Sequence, residues 1–381
     1  MMAGPLHGIR IIELSGIGPG PLAGQLLADL GAEVIAVDRK PEPHMPERPK
    51  DTNRRGKKSI ALNLKHPDAV ETVLKLCETA DALIEGFRPG VTERLGIGPD
   101  AALNRNPKLV YGRLTGWGQT GPLADRAGHD INYIAISGAL GTIGTPDRPL
   151  PPLNLVGDYA GGSLMLCFGV LAALLNARTT GKGQVVDVAM TDGSAAIMSL
   201  IHSLLASGIW TDRRGDNLLD GATPFYRCYE TADGGFMAVG SIEPQFYAQL
   251  LAGLGMPAED AAKQWDKADW PRLEAEFTQR FASKTRAEWT ALFENTDACV
   301  SPVLSLTEAP DHPHNAARGT FVTADGLTQP TPAPRFAGTP AQTGRGPFFA
   351  GEDTREILMG LGVEPGEIDR MLSEGIAGES A

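Results

Sequence analysis

Two ionisable side chains stand out because their neighbours are small or apolar. His129 follows Ala127-Gly128 and precedes Asp130 at a predicted helix start, and Asp158 lies between Gly157 and Tyr159, ahead of Gly161-Gly162 and a long apolar run. An imidazole and a carboxylic acid placed this way are candidates for a pair of proton-transfer groups working on one substrate. Glu243 is a third candidate. It follows Val239-Gly240-Ser241-Ile242 at a strand end and precedes Pro244, where a carboxylate can orient a histidine and fix its tautomer. Each also has a structural reading: a lone histidine is usually structural, Asp158 suits a helix N-cap, and Glu243 is a favourable acid at a helix start. Asp130 can cap the helix it opens, and the backbone N–H groups of that first turn can hold a developing oxyanion.

The elements that must position these residues follow from the hydrophobic pattern. Residues 9–14, 22–30 and 34–37 read as strand, helix and strand, a βαβ unit that argues for a parallel sheet. Further strands are expected at 60–64, 82–85, 109–114 and 184–189, with helices at 67–79 and 193–207. A hairpin at 225–239 and helices at 243–254, 269–283 and 286–295 predict a second, smaller α+β domain. The polar, Gly-rich stretch 210–224 and the Pro-rich stretch 330–347 read as linkers, which gives segments 1–209, 225–329 and 348–381. Asp353, with Glu356 three residues on, predicts a capping box for a C-terminal helix. The fold class is therefore α/β, a Rossmann-like large domain with a parallel sheet plus the small domain.

The loop Gly18-Pro19-Gly20-Pro21-Leu22-Ala23 matches a dinucleotide fingerprint in form, with Asp38 downstream. Pro19 and Pro21, however, remove N–H donors that a pyrophosphate needs, which disfavours a nicotinamide oxidoreductase. From Arg39 to Lys58 the chain carries eight cations against three anions, inside a protein of net charge −12. That stretch is either a solvated loop or a phosphate-binding flap. The overall acidity argues against nucleic acid or an anionic membrane as partner. Four widely spaced cysteines point to no metal site and no disulfide framework, and so to a reducing, cytoplasmic setting. The apolar run 163–175 is too short to span a bilayer, and the N-terminus does not read as a signal peptide.

Several runs resemble the α-methylacyl-CoA racemases of the family III CoA-transferase superfamily. They are Gly116-Trp117-Gly118-Gln119-Thr120-Gly121-Pro122, Gly128-His129-Asp130-Ile131-Asn132-Tyr133, Pro152-Leu153-Asn154-Leu155-Val156-Gly157-Asp158 and Val239-Gly240-Ser241-Ile242-Glu243-Pro244. The resemblance implies a large domain built from both chain ends and an interlocked homodimer. It implies that an acyl-CoA thioester is the substrate, contacted at its nucleotide or phosphates by Arg39, Lys65 and Arg88, with no separate cofactor. It further implies α-proton transfer through an enolate, with His129 and Asp158 as the acid/base groups and Glu243 paired to His129; the Asp130 N–H at the helix start would then hold the enolate oxygen. The alternative from the same superfamily is a CoA transferase that moves CoA between carboxylic acids through an acyl anhydride on Asp158.

Overall fold

The computed structural model describes residues 4–39, 50–324 and 326–380. The chain forms two compact units: Met1–Ser137, Pro152–Ile197 and Ala317–Ala381 make the first, and Gly138–Pro151 with Met198–Ala316 makes the second. The second unit therefore starts inside the segment expected to belong wholly to the large domain, and the first takes in 317–329, which was expected in the small one.

In the first unit the chain runs β1 (Arg10–Leu14), α1 (Pro19–Asp29), β2 (Glu33–Asp38), β3 (Lys58–Leu62), α2 (Pro67–Thr79), β4 (Ala82–Glu85) and β5 (Val110–Thr115). It continues through α3 (Asp130–Ile136), a π-helical segment Leu155–Leu164, α4 (Met165–Thr180), β6 (Gln184–Ala189) and α5 (Met190–Ile197). The strands β1, β2, β4 and β5 are nearly continuous apolar runs because helices cover both of their faces. One apolar cluster joins α2 and the C-terminal helices to one face of the sheet, and a second joins α1 and α4 to the other.

In the second unit α6 (Ser199–Ala206) leads to a three-stranded antiparallel sheet of β7 (Tyr226–Glu230), β8 (Phe236–Gly240) and β9 (Val300–Pro302). One face of that sheet packs on α7 (Pro244–Leu254), α8 (Trp270–Phe281) and α9 (Arg286–Phe293). Back in the first unit, α10 (Thr354–Gly360), α11 (Pro365–Ser373) and β10 (Ala377–Gly378) close the chain.

Among the described residues the large sheet has the order β10-β3-β2-β1-β4-β5-β6. All neighbours are parallel except β10, which runs antiparallel to β3. The sheet is thus mixed rather than purely parallel, with an added antiparallel edge. The order reverses between β1 and β4: the chain winds one way through β1, β2 and β3, then crosses to β4, β5 and β6. In open α/β sheets a crevice forms at the carboxyl ends of the strands where this reversal occurs.

Other expectations change for local reasons. Residues 193–207 form two helices, α5 and α6, that break at Met198. The stretch 210–223 is an ordered turn, not a linker. Asn217, 4 % exposed, takes the Thr211 N–H at 2.7 Å and donates to the Arg213 carbonyl at 2.8 Å, while Asp220 accepts from the Gly215 and Asn217 N–H groups. Asp353 is an N-cap by position only. Its carboxylate instead accepts from the Ser59 N–H at 2.8 Å and from Arg345 at 2.7 Å, so the expected capping box is not formed. The run 163–175 belongs to a longer helical stretch, Leu155–Thr180, of 26 residues, with an 18-residue window of mean hydropathy 1.8, which would suffice on length and composition alone to cross a bilayer. Leu166, Val170, Ala173, Leu174 and Ala177 of that stretch are buried in the sheet-facing core cluster.

Four cations of the basic stretch are paired within the fold. Arg55 is buried in a pair with Asp29 at 2.6 Å, and Lys57 in a pair with Glu13 at 2.6 Å. Lys58 meets Glu356 at 2.8 Å, and Arg54 meets Asp38 at 3.2 Å. Lys40 and Arg48 lie outside the described residues.

Candidate active site

A cavity of about 350 Å³ opens at the reversal point, within the first unit. Its floor is the carboxyl ends of β1, β4 and β5, at Leu14, Glu85 and Thr115. His129 and Asp158 both line it, together with Arg88, Trp117 and Tyr133.

Each loop at its rim is tied down by a side chain at a strand end. Glu13 on β1 is fully buried and receives Lys57, which also donates to the Pro21 carbonyl at 2.8 Å and so pins the loop that opens α1. Burial pushes the Glu13 carboxyl above its usual range, and Lys57 opposes that shift. Glu85 on β4 accepts from the Phe87 N–H at 2.6 Å and from Arg113 at 2.9 Å, which fixes the turn carrying Arg88. Thr115 on β5 takes the Gly118 N–H at 3.0 Å. Gly18 caps α1 with φ 81°, a left-handed conformation that glycine alone adopts without strain, and its α-carbon faces Asp158 Oδ2.

His129 is the N-cap of α3 and is exposed to the cavity; its N–H donates to Asn132 Oδ1 at 3.0 Å. Gly128 precedes it for a packing reason. A β-carbon there would lie 2.7 Å from the Tyr133 ring and 2.9 Å from Trp117, which pack edge to face at 4.8 Å. The Tyr133 hydroxyl closes the same turn by donating to the Gly128 carbonyl.

Asp158 is not the N-cap of the following helix; Asn154 is, and Asp158 sits in the first turn of the π-helical segment. Its N–H donates to Asp130 Oδ2 at 2.6 Å, and its carboxylate accepts from Asn154 at 3.4 Å. Asp158 is half-buried, and burial pushes its carboxyl above the ordinary aspartate range. The Asn154 hydrogen bond opposes the shift, the Asp130 charge adds to it, and His129 opposes it. Wider helical turns of this kind recur at functional sites because they re-aim one side chain.

Of the other expected residues, Arg88 lines the cavity, whereas Arg39 and Lys65 are exposed beyond the carboxyl ends of β2 and β3 and do not. None of the three pairs with a carboxylate among the described residues. Glu243 belongs to the second unit, where it is the exposed N-cap of α7. Sequence reasoning missed Arg126, a second cation on the cavity, and Asn154, the partner of Asp158. Both lie within four residues of an expected site residue, which is the signal that was available.

An α/β chain with its cleft at such a reversal point has a doubly wound fold. The profile of CoA-transferase family III matches residues 6–354, and the chain belongs to that family. It is 46 % identical to the α-methylacyl-CoA racemase of Mus musculus over 375 residues, covering 97 % of both chains. It is 45 % identical to the Homo sapiens enzyme of the same name, again covering 97 % of both. Among solved structures, a CAIB/BAIF family protein from Brucella suis superposes with a TM-score of 0.80 at 26 % identity, covering 94 % of this chain and all of that one. Rv3272 from M. tuberculosis gives 0.78 at 31 % identity with the same coverage.

The raised proton affinity of Asp158 has a consequence for stability. A folded-state value above the unfolded one means that ionising Asp158 costs the native state stability. The cost is absent below the ordinary aspartate value and complete above the raised one. Asp158→Asn should therefore raise the urea midpoint at pH 7, and the gain should vanish below about pH 4. A midpoint unchanged or lowered at pH 7 would contradict the burial argument.

Proposed function

We propose that this protein is a racemase that inverts the α-carbon of 2-methylacyl-CoA thioesters by 1,1-proton transfer, with His129 and Asp158 as its two acid/base groups. The observation that carries this is their shared placement on one cleft at the sheet's reversal point. The relatives named racemases are 45–46 % identical, whereas those named as CoA transferases of succinyl-CoA:glutarate and acetyl-CoA:oxalate are 29 % and 32 % identical. This favours the racemase over the transferase reading.

In the forward direction His129 removes the α-proton from one face. The electron pair moves into the thioester to give an enolate, and protonated Asp158 delivers a proton to the opposite face. In reverse the roles exchange. Burial raises the proton affinity of the Asp158 carboxyl, the direction a proton donor needs. The Asp130 N–H, at the start of α3, meets the enolate oxygen in this reading; the Asp130 side chain turns away to Asp158 and leaves that N–H without a partner among the described residues. The substrate's CoA moiety supplies phosphates to Arg88, Arg39 and Lys65, and no separate cofactor takes part.

The working unit is a homodimer. Exposed apolar faces support it. Leu164, Phe168 and Leu175 form one exposed stripe along the Leu155–Thr180 stretch, and α6 has no buried residue. Faces of this kind mark an interface.

Three outcomes follow. In D2O, His129→Ala should lose α-deuterium wash-in from one epimer far more than from the other, and Asp158→Ala should show the opposite bias. Interconversion should fall by ~10²–10⁴-fold in both; equal loss of wash-in from both epimers in both variants would refute the two-base assignment. Arg88→Ala or Arg39→Ala should weaken acyl-CoA binding by about 1.5–3 kcal/mol in calorimetry, and unchanged affinity in both would remove the phosphate role. Sedimentation at assay concentration should give a dimer, and a fully active monomer would contradict the assembly.

A further inference from the structure

Asp130 does not cap α3 as expected, because His129 holds the N-cap position and the Asp130 carboxylate turns to Asp158 instead. The Asp130 side chain is 6 % exposed, yet it carries no ion pair among the described residues. Oδ2 accepts the Asp158 N–H at 2.6 Å, and Oδ1 is buried with no hydrogen-bond partner. A buried carboxylate with one unmatched oxygen is costly to keep. The surroundings are nevertheless shaped to admit it: a β-carbon on Gly157 would fall 2.7 Å from Oδ2 and 2.9 Å from its carboxyl carbon. Gly157 is bare where the Asp130 carboxylate lies. Asp130 is also the residue next to His129, so a single side chain links the helix start that holds the imidazole to the turn that holds the acid.

We infer that the Asp130 side chain is a positioning residue that sets both the place of Asp158 and the charge that Asp158 faces. The inference deepens the racemase reading and rests on it for its catalytic meaning. Two carboxylates in one small site resist simultaneous ionisation, so negative charge on the Asp130 side chain raises the proton affinity of Asp158. The groups that bear on Asp158 are few. From the His129 turn and α3 come His129, Asp130 and Tyr133, and Tyr133 in turn feels Arg88. From its own segment comes Asn154. The neighbouring α1 and α5 present Pro19, Met190 and the Ser194 backbone to this segment, none of them charged. Asp130 is therefore the anion in the site able to hold the proton on Asp158.

The test follows the Asp158 carboxyl by ¹³C NMR in the free, full-length enzyme, with the signal assigned by its loss in Asp158→Asn. Asp130→Asn keeps the acceptor for the Asp158 N–H and removes the charge. It should lower the Asp158 titration midpoint by about one pH unit and slow epimer interconversion at least tenfold. Gly157→Ala, which crowds the carboxylate from the other side, should move both quantities in the same direction by less, and it keeps the question open to test if Asp130→Asn does not fold. An unchanged midpoint in both variants overturns the inference, and so does slowed turnover with an unchanged midpoint, which would make Asp130 a packing residue only. The titration needs no turnover, so a wild-type enzyme without α-proton exchange would refute the racemase reading and leave the titration result standing.

Discussion

The reversal of strand order between β1 and β4 is the constraint from which the rest of the first unit follows. Two loops leaving adjacent parallel strands in opposite directions cannot close over the strand ends, so a crevice is left between them. The chain fills that crevice with the loop after β1, the Arg88 turn after β4, and the long excursion after β5 that carries His129. Asp158 reaches the same place from another direction, on the π-helical segment leading into α4. His129 and Asp158 thus meet at one cavity from separate segments, joined by the contact between Asp130 and Asp158, 28 residues apart in sequence.

A crevice is useful only if its walls hold still. Loops lack the ladder hydrogen bonds that fix a strand, so backbone donors and acceptors need other partners. Here Glu13 with Lys57, Glu85 with Arg113, and Thr115 each hold the loop that follows their own strand. The buried ion pairs among these are weak evidence for net stability, because desolvation offsets much of the attraction. Their value is geometric: each presents an acceptor or donor at a fixed place. Ser163 adds a further brace, donating to the Pro19 carbonyl at 2.7 Å from the helical segment that bears Asp158.

Much of this was legible in the sequence, for reasons that can be named. The β1, β2, β4 and β5 strands are buried on both faces and read as short apolar runs between turn residues. His129 and Asp158 stood out because glycine and apolar neighbours leave an ionisable group conspicuous. What was missed depends on pairings between distant residues. Within the Arg39–Lys58 stretch, the burial of Arg55 against Asp29 and of Lys57 against Glu13, both far upstream, could not be read from composition. The stretch 210–223 has a linker's composition, but Asn217 and Asp220 replace absent backbone partners with their own side chains. Asp353 carries a capping-box pattern, yet Ser59 and Arg345 claim its carboxylate. Residues 138–151 gave no sign that they join the second unit.

The account's central claim is that one cleft holds an acid and a base of different type on opposite faces of a planar enolate. Incubating the unmodified enzyme with a single epimer of a 2-methylacyl-CoA in D2O, with a free carboxylic acid present, tests it most directly. The account predicts deuterium at the α-carbon together with the appearance of the other epimer, and no transfer of CoA to the free acid. Transfer of CoA to that acid with the α-hydrogen and its configuration retained would contradict it.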